Sequence, residues 1–308
     1  MPLKILSISS QFPKKFETLK SLKNSKKNIK KLFNTTGINK RFTSKNNENV
    51  ISLSIKSANK LLKKNNKKDI GFLIFVSQTS PFKFPSVSCI LQNKLGLDKN
   101  IFAIDVNMGC SGYIYALKVA SSLENLEGKK NGLIICSDTY TKFISKNNTS
   151  CKPIFSDAST TTLLGFSKKK HFEAFGFGVD GNGYQDLYLK ENSKEMFMNG
   201  AKIALFTLKE IPIFLINFFK KNRINKSKIK FLVMHQASKY IFEKLKNKLN
   251  LKNSIFLKNY QKVGNTISSS IPLLLKEIID KKKIKKGDNL IACGFGVGLS
   301  WGAVKIKW

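Results

Sequence analysis

The chain is 308 residues long and 42% hydrophobic, enough for one large core or two medium ones. Its net charge of +36 invites a nucleic-acid reading, but of 55 basic residues only Arg41 and Arg223 are arginine, the residue that base edges and phosphate forks favour, and the lysines are spread along most of the chain as solvated faces are. No run of roughly 18 uncharged apolar residues is present, the start lacks the basic lead-in of a signal peptide, and five scattered cysteines without a CxxC pair disfavour a disulfide scaffold or a zinc site, so a cytoplasmic protein with no membrane or specific nucleic-acid partner is expected.

The apolar runs 3–9, 70–78, 101–107 and 132–138 read as strands, the last three at intervals of about 31 residues. Helical periodicity covers 50–64 and follows Cys110. The stretch from Ile203 to Phe219 is strongly apolar but carries Lys209, Glu210 and Pro212. Strands are expected again over 229–236, 253–259 and 289–296, separated by helical patterns over 239–249 and 268–283. Alternating strands and helices define an α/β architecture. The segments also correspond in order: GFLIFVSQ with KFLVMHQ, the strand–glycine–helix at Cys110 with that at Asn265, and LIICSD with LIACGFG. Two similar α/β halves sharing one core are expected, over 1–170 and 171–308.

Active residues collect where the strands of open α/β sheets end, and three chemically useful ones stand at such ends. Cys110 lies between Gly109 and Gly112 at a strand-to-helix turn, where a helix N-terminus favours thiolate over thiol. Most free cysteines are small buried hydrophobes, and Cys89, Cys136, Cys151 and Cys293 read that way. His235 ends an apolar strand, as a structural or a catalytic residue. Asn265 follows Gly264 and is either a turn residue or a polar group of the same site.

Seven ordered segments resemble β-ketoacyl-[acyl carrier protein] synthase III, of the thiolase-like superfamily: TTGINKR (35–41), SQTSPFKFPSVSCILQNKLGL (77–97), DVNMGCSGYIYAL (105–117), IFSDASTTTLLG (154–165), HQAS (235–238), GNTISSSIP (264–272) and GFGVGLSWGA (294–303). The resemblance covers nearly the whole chain. It implies a five-layered α-β-α-β-α core and an acyltransferase of fatty-acid type that uses no cofactor, taking acyl-coenzyme A or acyl-acyl carrier protein as substrate. Cys110 would carry the acyl group as a thioester, and His235 and Asn265 would assist the decarboxylation of malonyl-acyl carrier protein. The backbone of Cys110 and of the loop bearing Val297 would hold the oxyanion, with Phe295 beside the cysteine. Phe84 would reach across a homodimer into the partner's acyl pocket. Transfer of the acyl group to an amine, alcohol or thiol without decarboxylation is the alternative.

The sequence departs from the family where coenzyme A is gripped. Lys31 and Thr35 stand for a tryptophan and an arginine, the loop 144–152 lacks a second arginine, and Ala201 and Ser238 replace two asparagines. Val297 stands for a glycine, and Ser156 to Thr161 for the family's GDGAGA. The catalytic three are kept while donor contacts are lost, which implies a donor other than acetyl-coenzyme A bound in the usual way. An acidic acyl carrier protein suits the basic surface.

Overall fold

The computed structural model describes residues 2–19, 26–123, 131–145 and 147–308. Lys146, within the loop singled out above, lies outside them. The first half of the chain forms β1 (Leu3–Gln11), β2 (Phe16–Thr18), α1 (Lys26–Thr36), β3 (Lys40–Phe42), α2 (Val50–Leu62), β4 (Ile70–Val76), α3 (Val87–Leu95), β5 (Phe102–Val106), α4 (Gly112–Ser122), β6 (Asn131–Asp138) and β7 (Ala158–Phe166). The rest forms β8 (Phe172–Val179), β9 (Leu187–Tyr188), β10 (Phe197–Met198), α5 (Gly200–Lys221), β11 (Ile229–Met234), α6 (Lys239–Leu249), β12 (Ile255–Phe256), α7 (Tyr260–Val263), α8 (Ser270–Asp280), β13 (Asn289–Gly296) and β14 (Ser300–Lys307).

Two five-stranded sheets carry the fold, ordered β1-β7-β6-β4-β5 and β8-β14-β13-β11-β12. In each, the first two pairings are antiparallel and the last two parallel. The two halves thus share one topology. The central strands are buried on both faces, every residue of β4 included, which is why they read as unbroken apolar runs. Helices α4 and α8 lie between the sheets: Tyr113, Ile114 and Leu117 of α4 and Ile271, Leu274 and Leu275 of α8 share one core with Ile74, Val233 and Val304. Helices α2 and α3 cover the outer face of the first sheet and α5 and α6 that of the second, giving five layers.

The expected strand over 253–259 is reduced to Ile255–Phe256, because β12 is an edge strand that pairs only with β11. The stretch from Ile203 to Phe219 is an amphipathic part of α5, burying Phe206, Ile211, Leu215, Phe218 and Phe219 against the second sheet. Strand β7 is a central strand that apolar patterning misses. Its Ser159, Thr160, Thr161 and Thr162 are all buried, and their hydroxyls pair with others. The Ser57 hydroxyl of α2 lies 3.0 Å from that of Ser159 and 2.7 Å from that of Thr161, while Thr160 donates to Ser269 at 3.3 Å and Thr162 meets the Tyr113 hydroxyl at 3.3 Å. Satisfied hydroxyls are cheap to bury.

Ser57→Ala removes the group at which this network converges and leaves Ser159 and Thr161 short of a partner. It is expected to lower unfolding stability by about 1–3 kcal/mol, read as a lower denaturant midpoint at an unchanged slope.

Candidate active site

Cys110 sits in the turn that joins β5 to α4, closed by the Gly112 N–H donating to the Gly109 carbonyl at 2.9 Å, and is only 6% exposed. Strand β13 of the other half passes directly beside it. A β-carbon on Gly294 would stand 2.6 Å from the Cys110 carbonyl oxygen, and one on Gly296 would stand 2.9 Å from its sulfur. Only glycine permits that approach, and the two halves meet there.

His235 follows β11 and is anchored by its N–H to the Cys293 carbonyl at 2.9 Å. Its ring meets Phe295 edge-on, with centroids 5.5 Å apart. Its Nδ1 is buried without a hydrogen-bond partner. Asn265 is held by its own N–H to the Ile154 carbonyl and by the Ser156 N–H to its carbonyl, at 3.0 and 2.8 Å. Its Oδ1 accepts from the Ile267 N–H at 3.0 Å, which leaves the amide NH2 as the free end. Fully buried Ile267 adopts φ +51°, a left-handed conformation that is strained for a β-branched residue and gathers at functional sites.

Cys110, His235, Asn265 and Phe295 line one cavity of about 370 Å³. Thr35, Ala201 and Ser238 line it too. The Ser238 hydroxyl caps α6 by accepting from the Ile241 N–H, so this substitution serves the helix. Lys31 is exposed. Val297 faces a second cavity of about 360 Å³ instead, with Gln78 and Tyr140, although its backbone N–H reaches the Cys110 sulfur. Phe84 is 84% exposed and lines neither cavity, so within one protomer it is not brought to the other site residues.

Electrostatics correct one expectation. Burial pushes the Cys110 thiol up to about 12, with the negative charge of Asp138 adding to it and the N–H groups of Cys110 and Val297 opposing it. Burial therefore outweighs the helix start, and the resting thiol is protonated. Burial also drives His235 down from 6.5 to about 3, opposed by the Ile267 backbone, so the imidazole is neutral. Asp138, at the end of β6, went unremarked in the sequence, though it ends an apolar strand as His235 does. It is fully buried and pushed up to about 6. Its carboxylate accepts from the Gln78 N–H at 2.9 Å and the Ser268 N–H at 3.3 Å, and from the Ser268 hydroxyl.

The second acidic anchor is Asp157, which accepts from the N–H groups of Ser44 and Thr141 at 2.8 and 3.0 Å. Ser156 beside it accepts from the Phe42 N–H at 2.8 Å. Buried Arg41 donates to the Phe155 carbonyl at 3.2 Å and forks onto Glu17. Together these contacts fix the segment that pairs with Asn265.

This arrangement is that of a thiolase-like condensing enzyme. A solved 3-oxoacyl-(acyl-carrier-protein) synthase III superposes with a TM-score of 0.94 at 26% identity, over 100% of both chains, and the synthase III of Aquifex aeolicus with 0.89 at 26% identity, over 99% of this chain and 100% of that one. Residues 104–183 match the family described as 3-Oxoacyl-[acyl-carrier-protein (ACP)] synthase III, and residues 219–308 its C-terminal counterpart. The beta-ketoacyl-[acyl-carrier-protein] synthase III of Clostridium perfringens is 33% identical over 288 residues, 88% of each chain; that of Oceanobacillus iheyensis is 31% identical over 242 residues, 78% of this chain and 77% of the relative. The chain belongs to the β-ketoacyl-[acyl-carrier-protein] synthase III family of acyl-transferring enzymes.

Because the native His235 stays neutral down to about pH 3 while an unfolded histidine takes a proton near 6.5, the unfolded chain binds more protons between these values and stability falls as pH falls. Relative to His235→Gln, the wild type is expected to lose about 1.4 kcal/mol of unfolding free energy per pH unit on acidification through that window, measured by denaturant titration at stepped pH.

Proposed function

We propose that Cys110 is the nucleophile of a decarboxylative condensation, with His235 and Asn265 as its partners. The observation that carries this reading is the convergence of the three residues, from the β5–α4 turn, the end of β11 and the turn after α7, on one cavity. In the first half-reaction the sulfur attacks an acyl thioester carbonyl, its proton leaves, and the donor thiol departs protonated. The N–H groups of Cys110 and Val297 receive the oxyanion. In the second, the malonyl carbon–carboxylate bond breaks and carbon dioxide leaves. The His235 ring N–H and the Asn265 amide NH2 stabilise the enolate oxygen, and the new carbanion displaces Cys110 from its acyl group.

The division into halves at about residue 170 is part of this reading, with the nucleophile on one and its partners on the other; the first sheet ends at Phe166 and the second begins at Phe172. A homodimer is supported by the edge position of β5, where Phe102 and Ile104 are exposed, and by the exposure of Phe84. Acyl carrier protein as partner is supported by the net charge of +36, and a cytoplasmic setting by the five free thiols.

Cys110→Ala is expected to abolish the acyl adduct seen by intact-protein mass, while alanine at Cys89 leaves it. His235→Ala and Asn265→Ala are each expected to slow condensation by about 10²–10³-fold with self-acylation retained; undiminished condensation in both would point to simple acyl transfer. With one acyl chain on either carrier, acyl-acyl carrier protein is expected to acylate Cys110 faster than acyl-coenzyme A, by a margin that shrinks as salt rises. Equal rates at physiological salt would remove the carrier-protein preference.

A further inference from the structure

The second cavity lies against the other side of the nucleophile turn. Gln78 and Val297 form the wall nearest Cys110: a β-carbon on Gly109 would stand 2.3 Å from Gln78 Oε1 and 3.0 Å from Val297 Cγ1. Tyr140 packs in the same buried cluster as Cys110, and Leu187 lines both cavities. Val297, whose backbone N–H reaches the Cys110 sulfur, belongs to this wall, so the cavity adjoins the atom that would carry the acyl group.

The wall beside the sulfur is also polar in a defined way. The Tyr140 hydroxyl donates to Gln78 Oε1 at 2.7 Å. That leaves a Gln78 amide donor and a Tyr140 oxygen acceptor. Turning the amide over exchanges the roles and still leaves one donor and one acceptor. A hydroxyl, which gives one hydrogen bond and takes one, matches the pair; a plain alkyl chain matches neither. The pair is held in place, since the Gln78 N–H is anchored on Asp138 at 2.9 Å and the Tyr140 ring packs on Phe155 with centroids 5.3 Å apart.

Resting on the reading of Cys110 as the acyl carrier, we propose that the cavity behind Gln78 and Tyr140 takes an acyl group with a hydroxyl close to the thioester, and that these two residues set that specificity. The gain from one or two neutral hydrogen bonds is expected to be about tenfold in acylation rate.

The test compares butyryl- and 3-hydroxybutyryl-coenzyme A as donors, following the Cys110 adduct by intact mass in the wild type, Tyr140→Phe and Gln78→Leu. Iodoacetamide alkylation of Cys110 reports that each variant keeps a folded, accessible site. In the wild type 3-hydroxybutyryl is expected ahead of butyryl. The hydroxyl-to-alkyl ratio is expected to fall towards one in both variants. A wild-type ratio of one or below, or a ratio unchanged in both variants, overturns the specificity. No adduct from any thioester, with Cys110 still alkylated by iodoacetamide, overturns the acyl-carrier reading itself and this inference with it.

Discussion

The buried carboxylate of Asp138 is the point from which both sides of the site are set. It closes strand β6 and gathers donors from two directions: Gln78 of its own half and Ser268 of the other. Gln78 then lines the second cavity, while Ser268 follows Ile267, whose N–H holds the Asn265 amide. An ionised group at this depth is costly, and its pKa near 6 records that cost. Donors from both halves compensate it, so the carboxylate holds the halves in register. Its charge also raises the Cys110 thiol, tying the scaffold to the chemistry.

The reactive pair follows from the same burial. A protonated thiol and a neutral imidazole carry no net charge into the core, so neither incurs the penalty of an isolated ion. In the proposed chemistry, charge would arise only when a substrate brings the carbonyl that accepts it. The strand β13 glycines let a backbone strand pass within contact of the sulfur, so that the proposed oxyanion donors would come from the main chain and need no reorganisation.

Much of the fold was legible because burial and apolar character coincide in β4, β6, β11 and β13. Where they part, patterning failed. Strand β7 hides its polarity in hydroxyl pairs with α2 and α4, and the expected strand over 253–259 shrinks to β12, an edge strand with one partner. Cys110 and Asn265 were legible as polar groups in glycine turns, and His235 as a polar break at the end of an apolar strand. Asp138 carried the same mark, yet its role depends on donors distant in the sequence. Gln78 and Tyr140 had no local mark, since their pairing exists only once β4 and the segment after β6 are brought together. The protonation of the thiol was not legible, because a helix start is visible in sequence and depth is not.

The composition itself acts as a filter on chemistry. This chain writes nearly every positive charge as lysine, and Arg41 is one of two exceptions. It is also the buried one, a planar fork between a carbonyl and a carboxylate beneath the segment that positions Asn265. An ammonium is one compact point with a stronger hold on water, and it spans such a geometry poorly. In a chain whose positive charge is almost all lysine, the buried arginine marks a demand of shape that charge alone does not meet.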